Sequence, residues 1–231
     1  MAALVLGKGA HEVSCETPRM GGAFGGKESQ AANYACIAAL AANATGEPVC
    51  VWLNREEDMA FTGKRHPFFS RYEAGLSEEG DLLALKVEIY ADGGWTTDLS
   101  PGVHDRALFH LDNAYFIPNL RFSGRVLRTN RPSSTAFRGF GGPQGMVVVE
   151  EVLNRFAESS GLDAAAVRAR NYYAEGGRDW APYGQKVDEI RLQRIHQELL
   201  ESSDYATRRQ EIATFNAQHD HIKRGLGFQP I

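Results

Sequence analysis

Two glycine-rich loops, each holding a phenylalanine, carry the residues of this sequence that are best suited to chemistry. The first loop, residues 21–27, is GGAFGGK and is followed by Glu28; the second, residues 138–142, is RGFGG. Glycines let main-chain N–H groups approach a ligand without obstruction by a Cβ atom. A phenylalanine ring between glycines offers a flat face to a planar heterocycle. Phe140 has an equally simple alternative, which is to fill a gap in the core.

Two charged residues lie beside these loops, and each has a functional and an ordinary interpretation. We expect Glu28 in the first turn of a helix, where the helix dipole favours a carboxylate. There it is either a plain N-terminal charge or a group that contacts a ligand. Arg138 adjoins a glycine-rich bend, where a guanidinium suits a bound anion, but a solvated surface charge fits as well.

The first loop has the outline of a phosphate-binding P-loop, since Gly21, Gly26 and Lys27 match G-x-x-x-x-G-K. A P-loop requires Ser or Thr at the next position, because that hydroxyl binds Mg²⁺. Here the position holds Glu28, whose carboxylate would repel phosphates. Ser29 follows one residue late, rotated by about 100° around a helix. The pattern therefore does not predict a nucleoside triphosphatase.

The elements that must position these loops predict an α+β fold with mixed strands and helices. The predicted strands are residues 11–17, 49–54, 68–76, 82–92 and 119–129, with a hairpin between the third and the fourth. The predicted helices are 27–43, 55–62, 104–110, 143–159, 163–172, 187–203 and 205–216. Residues 130–143 are too rich in turn formers for a regular element. The last residues, 225–231, resemble the start of a strand, so both ends of the sequence suggest a fragment of a longer protein.

Composition narrows the class of protein. With 231 residues, 43% of them hydrophobic, the chain can bury a core, and its net charge of −4 argues against a general nucleic-acid binder. No run of about 18 apolar residues is present, so no membrane span is predicted. The first residues lack the charged start and long apolar run of a secretory signal. We therefore expect a cytoplasmic protein that contacts neither membrane nor nucleic acid.

Cysteine and histidine give no sign of a metal site built from side chains. Cys15, Cys36 and Cys50 are an odd, widely spaced set without a C-x-x-C motif, so we expect three buried, reduced thiols. They cannot hold an iron–sulfur cluster or a structural zinc ion alone. The pair His219 and His221 lies in a polar stretch that is typical of a solvated turn.

Three motifs, in order, resemble a known family. They are RMGGAFGGKES at residues 19–29, RALFHLDNAY at 106–115 and SSTAFRGFGGPQG at 133–145. The sequence is similar here to the molybdopterin-binding part of the xanthine dehydrogenase and aldehyde oxidase family of molybdenum hydroxylases. The resemblance runs from about residue 11 to the end. It implies that residues 1–231 are the first portion of the molybdenum-cofactor-binding domain, truncated at both ends.

The resemblance also implies an activity and its cofactors. This family hydroxylates an electron-poor carbon with water as the oxygen source, using molybdenum held by molybdopterin. Xanthine dehydrogenases oxidise hypoxanthine and xanthine to urate. Their electrons pass through 2Fe-2S clusters and FAD to NAD, and these groups lie on other domains or subunits, which are the partners expected here. The implied protein is thus an oxidoreductase, although the isolated fragment is expected to be inactive.

Roles carry over to the matching positions of this sequence. Phe24, with Gly25, matches main chain close to the molybdenum, and Arg138 matches a second main-chain segment near its ligands. Ala136 and Phe137 match residues that line the same bend of the cofactor site. Within the substrate site, the resemblance assigns a ring that stacks on the purine and two catalytic groups that flank it. These are Phe140 for the ring, and Glu28 and Arg106 for the flanking carboxyl and guanidinium.

The charged pair also predicts specificity. Aldehyde-oxidising relatives generally lack both polar residues, so Glu28 and Arg106 together favour purine over aldehyde. An aldehyde or N-heterocycle oxidase of the same family is the alternative. The resemblance places the main pterin loops, a second aromatic residue and the general base in later segments, so Glu28 is not assigned the role of base. The other interpretation is that the isolated piece is a catalytically inactive folded module. One departure is Ala23, where many relatives have glycine.

Overall fold

The structure is a computed structural model that describes residues 1–230, and it contains the expected mixture of helices and strands. The strands are β1 (Phe68–Leu76), β2 (Leu82–Gly94) and β3 (Leu120–Arg128). The helices are α1 (Ala2–Val5), α2 (Gln30–Thr45), α3 (Arg55–Phe61), α4 (Ser100–Phe109), α5 (Gly142–Ser160), α6 (Ala164–Asn171), α7 (Leu192–Ser202) and α8 (Tyr205–Gln218), with a 3₁₀ turn at Ala10–Glu12. The α+β class is confirmed.

A three-stranded sheet, with β2 in the centre, occupies the middle of the chain. β1 and β2 form the predicted hairpin. Ser77 closes its turn, where the Ser77 N–H donates to the carbonyl of Asp81 over 2.9 Å. β3 returns beside β2 after α4: the N–H of Leu85 donates to the carbonyl of Asn119, and further along, the N–H of Thr129 donates to that of Gly94. Because both partners advance together along their strands, this pairing is parallel, as is expected when a helix connects two strands.

Two predicted strands are wrong. Residues 11–17 and 49–54 form no strand, although VCVWLN has strong β propensity. They lie in the stretch 1–65, in which no residue is buried, and Trp52 is 79% exposed. Strand propensity expresses how well side chains pack on a half-buried sheet, so without a neighbouring strand it does not determine the backbone. Residues 225–230 also form no strand.

Other boundaries shift by a few residues. α2 begins at Gln30, three residues after the predicted start, so Glu28 lies before the helix and not in its first turn. α4 begins earlier than predicted. α7 begins at Leu192, later than predicted, and the N–H of Val187 donates to the carbonyl of Asp179 beside the short bridge between residues 180 and 186. α3 begins as predicted, and a capping box between Asn54 and Glu57 fixes its first turn.

The chain divides into two compact units. The first consists of Met1–Phe69, Ile89–Ala107 and Gly124–Gly142; the second consists of Ser70–Glu88, Leu108–Ser123 and the described part of Pro143–Ile231. All site residues proposed from the sequence belong to the first unit. None of the helices described within residues 1–230 has the length and apolar character needed to cross a membrane.

α4 is anchored in the first unit by one face. Val103 and Ala107 are at most 1% exposed, as are Ile89 and Ala91 of β2. Val103 and Ala107 are four residues apart, about one helical turn, so they lie on one face of α4, and this face is buried. Arg106 lies off that face and is exposed, so burial of the apolar face holds the helix while its charged residue meets solvent.

The second unit has a polar group at its core. The Arg168 guanidinium, 1% exposed, donates to the Glu150 carboxylate from Nε over 2.9 Å and from Nη2 over 2.6 Å. The hydroxyl of Tyr115 and the amide of Asn113 donate to the other oxygen of Glu150 over 2.6 and 3.0 Å. A buried charge of this kind is stable only because it is paired and hydrogen-bonded.

Candidate active site

The first glycine loop adopts a backbone that ordinary residues rarely take. Phe24 lies in the left-handed region at φ 50°, and its side chain is 75% exposed. The Lys27 ammonium donates to the carbonyl of Met20 over 2.5 Å, which closes the loop on itself. A left-handed phenylalanine costs about 1–3 kcal/mol and persists only where the surroundings enforce it. Such residues cluster at functional sites.

The two glycine loops meet through their main chains. A Cβ atom on Gly25 would lie 2.7 Å from the carbonyl oxygen of Ala136 and 2.8 Å from Cα of Phe137. Both distances are too short for a real contact with backbone atoms, so only glycine allows this approach. The structure therefore brings Gly25, the neighbour of Phe24, against Ala136 and Phe137, and all three contacting residues are among those assigned to the cofactor site.

An arginine that sequence reasoning did not single out fixes the second loop. Nη2 of Arg65 donates to the carbonyl of Arg138 over 2.7 Å, and the Arg65 guanidinium carbon lies 4.4 Å from the centre of the Phe137 ring. The Arg138 main chain is thus held, while its own side chain is exposed. Arg65 lies outside the three motifs that carry the family resemblance, so no sequence signal pointed to it.

Phe140 repeats the conformation of Phe24 and packs against the helix that carries Arg106. It has φ 46° and is half-buried. A Cβ atom on Gly102 of α4 would lie 3.3 Å from its ring, and one on Gly141 would lie 1.9 Å from the carbonyl oxygen of Val103. Residues 102 and 106 are one turn apart on one helix face, so Arg106 follows the ring along the same face. One side of the Phe140 ring packs against α4 and the ring is half-buried, so it fills a gap in part, and its role in stacking on a substrate stays a prediction.

Glu28 is exposed, and the two residues that follow it anchor its segment. The Ser29 hydroxyl donates to one carboxylate oxygen of Asp98, and the Gln30 amide donates to the other over 2.8 Å. Asp98 lies two residues before α4. Among residues 1–230, neither Glu28 nor Arg106 forms an ion pair within 4.0 Å. Both charges are therefore available for a ligand.

A buried histidine ties the start of α4 to the segment before β1. Nε2 of His66 and the Ser100 hydroxyl are 2.7 Å apart, and both residues are buried. Burial lowers the pKa of His66 below its ordinary value, against an opposing contribution from the Asp98 carboxylate. The ring is therefore neutral at neutral pH and acts as a structural link.

The thiols and histidines examined for metal binding do not assemble. Cys15 and Cys50 are exposed and Cys36 is partly buried; all three are free, so the expectation of buried thiols is wrong for two of them. His219 and His221 are exposed, as expected for a solvated turn. Within the part of the chain that the structure describes, no three His, Cys, Asp or Glu side chains are grouped to hold a metal ion.

The fold defines the class of protein before any sequence comparison. The aldehyde oxidoreductase from Desulfovibrio gigas superimposes with a TM-score of 0.71 and 33% sequence identity, covering 81% of this chain and 20% of that one. Quinoline 2-oxidoreductase from Pseudomonas putida 86 gives a TM-score of 0.76 over 94% of this chain and 28% of that one, at 23% identity, which shows a likeness of fold alone. The fold is one found in large oxidoreductases.

Sequence comparison narrows that class to a family. The profile of the molybdopterin cofactor-binding domain matches residues 1–172, and the chain belongs to this family. It is 46% identical to the xanthine dehydrogenase/oxidase of Felis catus over 98% of its length, and 42% identical to the xanthine dehydrogenase of Dictyostelium discoideum over 100%. A nicotinate hydroxylase of Emericella nidulans is 42% identical over 95%. The chain spans only 16–17% of the length of these curated relatives. The family expected from the three motifs is confirmed.

Proposed function

We propose that this chain forms the first portion of the molybdenum-cofactor domain of a hydroxylase that oxidises hypoxanthine and xanthine to urate. Water supplies the oxygen, and electrons leave through iron–sulfur clusters and FAD to NAD on partner domains or subunits. The observation that carries the proposal is the assembly in one unit of both Phe-Gly-Gly loops and α4. Gly25 packs on Ala136, and Phe140 packs on the face of α4 that also bears Arg106.

The loops fit a cofactor that needs main chain rather than side-chain ligands. A dithiolene holds molybdenum through its own sulfur atoms, so the absence of a His, Cys, Asp or Glu group among residues 1–230 is compatible with it. The loop around Phe24 and the bend at Arg138 are exposed, and their main chains approach each other at Gly25 and Ala136. When bound, the molybdenum centre supplies the two-electron oxidation. Phe24, Gly25 and Ala136–Arg138 would hold it.

The substrate roles follow from charge and shape. Negative charge builds on a purine as a nucleophile adds to its ring, and a fixed guanidinium at Arg106 stabilises that charge more in the transition state than in the ground state. Glu28 hydrogen-bonds a polar edge of the purine, and Phe140 stacks on the ring face. Neither charged group is engaged in an ion pair among the described residues, so neither must break one to bind substrate.

A second candidate is hydroxylation of a carboxylated N-heterocycle, because one relative is a nicotinate hydroxylase. Arg106 would then bind the carboxylate of the substrate. Glu28 counts against this substrate, since a second carboxylate in the pocket repels it. Xanthine is favoured because its polar edges include donors for Glu28.

The test replaces both charged groups in the holoenzyme. Glu28→Val with Arg106→Met should lower kcat/KM for xanthine by about 10²-fold or more, the usual loss when one preorganised donor is removed. Oxidation of a simple aldehyde should persist. The molybdenum content should not change, because neither Glu28 nor Arg106 is among the residues whose main chain is proposed to hold the cofactor. Nicotinate is assayed beside xanthine to separate the two candidates.

A matched control uses the same substitutions on α8. Glu211 and Arg208 are exposed there, so Glu211→Val with Arg208→Met should leave every rate unchanged. An unaltered kcat/KM for xanthine in the site variant would overturn the roles of Glu28 and Arg106. Faster turnover of nicotinate than of xanthine by the unaltered enzyme would favour the second candidate.

A further inference from the structure

One carboxylate connects the segment of Glu28 with the beginning of α4. Asp98 is partly buried and accepts two hydrogen bonds from consecutive residues, one from the Ser29 hydroxyl and one from Nε2 of Gln30 over 2.8 Å. The donors immediately follow Glu28 in sequence. Both carboxylate oxygens of Asp98 are thus bonded to the segment that contains Glu28 and leads into α2.

The other end of the Gln30 amide reaches a third segment. Its Oε1 accepts from the N–H of Gly63 over 2.8 Å. A Cβ atom on Gly63 would lie 2.7 Å from the carbonyl oxygen of Ser133 and 2.8 Å from Cγ2 of Thr135. Gly63 therefore packs directly against the residues that precede the second glycine loop. The Gln30 amide therefore connects the segment of Glu28 with Asp98, just before α4, and through Gly63 it connects that segment with the residues before the second loop.

Asp98 itself has an unusual backbone. Its φ is 42°, in the left-handed region, two residues before Ser100 begins α4. This conformation costs free energy for a residue with a Cβ atom, although less for Asp than for most others. The side-chain bonds to Ser29 and Gln30 offset that cost. The conformation of Asp98 and the position of the Glu28 segment are consequently linked.

Glu28 depends on this link because its own side chain is exposed and has no ion pair within residues 1–230. Its place relative to α4 is set by the main chain, and the main chain is set by the two residues that bond Asp98. A displacement of about 1 Å in a substrate-positioning group can cost on the order of 10²-fold in rate. The bonds to Asp98 thus act on catalysis without touching the substrate.

We propose that Asp98 and Gln30 are positioning residues which hold the Glu28 carboxylate at a fixed spacing from the helix of Arg106, and so set the preference for a purine with two polar edges. This inference rests on the proposed function, since the spacing matters only if Glu28 and Arg106 flank one substrate. Neither Asp98 nor Gln30 contacts the substrate.

The experiment is a double-mutant cycle in the holoenzyme, with Asp98→Ala, Glu28→Gln and both together. Asp98→Ala should lower kcat/KM for xanthine about tenfold and change that for an aldehyde less than twofold. In the Glu28→Gln background the same substitution should have no further effect on xanthine, because the carboxylate that Asp98 positions is then absent. Asp98→Asn keeps an acceptor for Ser29 and should recover part of the loss.

A second readout does not depend on activity. Hydrogen exchange of the amides of residues 32–36, the first hydrogen-bonded amides of α2, should accelerate at least tenfold in Asp98→Ala, with the molybdenum content unchanged. Asp188→Ala, at an exposed aspartate of the second unit, is the control and should alter neither exchange in that segment nor kinetics. Should Asp98→Ala fail to accumulate, Ser29→Ala removes one of the two bonds and is expected to give the same pattern with smaller changes.

Two results would overturn the proposal. One is an equal loss for xanthine and aldehyde that persists in the Glu28→Gln background, which describes a general scaffold. The other is unchanged exchange in residues 32–36 at the start of α2. If Glu28→Gln alone leaves xanthine turnover intact, the proposed function fails instead, and the exchange measurement still decides whether Asp98 and Gln30 hold the segment.

Discussion

Replacing Glu150 by glutamine should destabilise the second unit strongly, although glutamine has nearly the same shape. The Glu150 carboxylate accepts four hydrogen bonds, two of them from Arg168. Arg168 also donates to Asn154 over 2.8 Å and to a main-chain carbonyl over 3.1 Å. Its guanidinium is a cation, and at 1% exposure it has almost no access to water. Glu150→Gln therefore leaves a buried cation without its counter-charge.

The magnitude follows from that uncompensated charge. Breaking a buried ion pair by removing one partner costs about 3–5 kcal/mol, compared with a total stability of roughly 5–15 kcal/mol for a domain. An amide NH₂ in place of the oxygen that faces Arg168 meets only donors. In place of the other oxygen it can donate to the Tyr115 hydroxyl, but the amide of Asn113 then loses its acceptor. We expect a loss toward the upper half of that range.

Hydrogen exchange of the slowest amides of α5 is a suitable assay, because their exchange reports the opening free energy of the surrounding unit. A loss of 3–5 kcal/mol accelerates it by about 10²- to 4 × 10³-fold. The control is Glu151→Gln, one residue further on, where the side chain is 44% exposed and pairs with Arg155 on the helix surface. That change should cost about 0.5 kcal/mol or less. If Glu150→Gln behaves like Glu151→Gln, the charge of Glu150 is unimportant and the reasoning fails.

Three further outcomes are expected. Gly25→Ala should destabilise the first unit by about 1–3 kcal/mol more than Gly46→Ala in chemical unfolding. Both positions have positive φ, but only at Gly25 would the added Cβ atom clash with backbone atoms. Equal losses would mean that the two loops are not in contact. Burial lowers the pKa of His66 and of His196, so on acidification the unfolded chain takes up protons first. The free energy of unfolding should therefore fall as the pH drops from about 7 through the ordinary histidine pKa near 6.5. His196→Gln should reduce this pH dependence, while His221→Gln, at an exposed site, should leave it unchanged. Expressed alone, residues 1–231 should bind no stoichiometric molybdenum and reduce no NAD with xanthine, and turnover by that chain would show that the remaining segments of its relatives are unnecessary.

The elements predicted correctly are those whose sequence signals lie within the element itself or in the turn beside it. The hairpin of β1 and β2 follows from alternating residues on both sides of a turn, and α5 from a proline in its first turn before a long amphipathic stretch. Residues 49–54 failed because a strand requires a partner, and propensity does not supply one. Glu28 fell outside α2, which begins after the N-cap Ser29, and the Ser29 hydroxyl bonds Asp98, a residue remote in sequence, instead of capping the helix.

The same distinction holds at the candidate site. The glycine loops and their phenylalanines were evident from composition, and the family motifs assigned roles to Glu28 and Arg106. The contact of Gly25 with the second loop was not predictable, since it joins distant segments through main chain. Arg65 and Asp98 carried no signal beyond an ordinary charge, because a positioning residue is defined by its three-dimensional neighbours.

A structure of the holoenzyme with bound xanthine would test the central claim most directly. The account predicts the purine stacked on Phe140, with the Glu28 carboxyl and the Arg106 guanidinium each within about 3.2 Å of a polar atom on its edges. A purine bound with Glu28 and Arg106 on surfaces that do not contact it would contradict the proposed function.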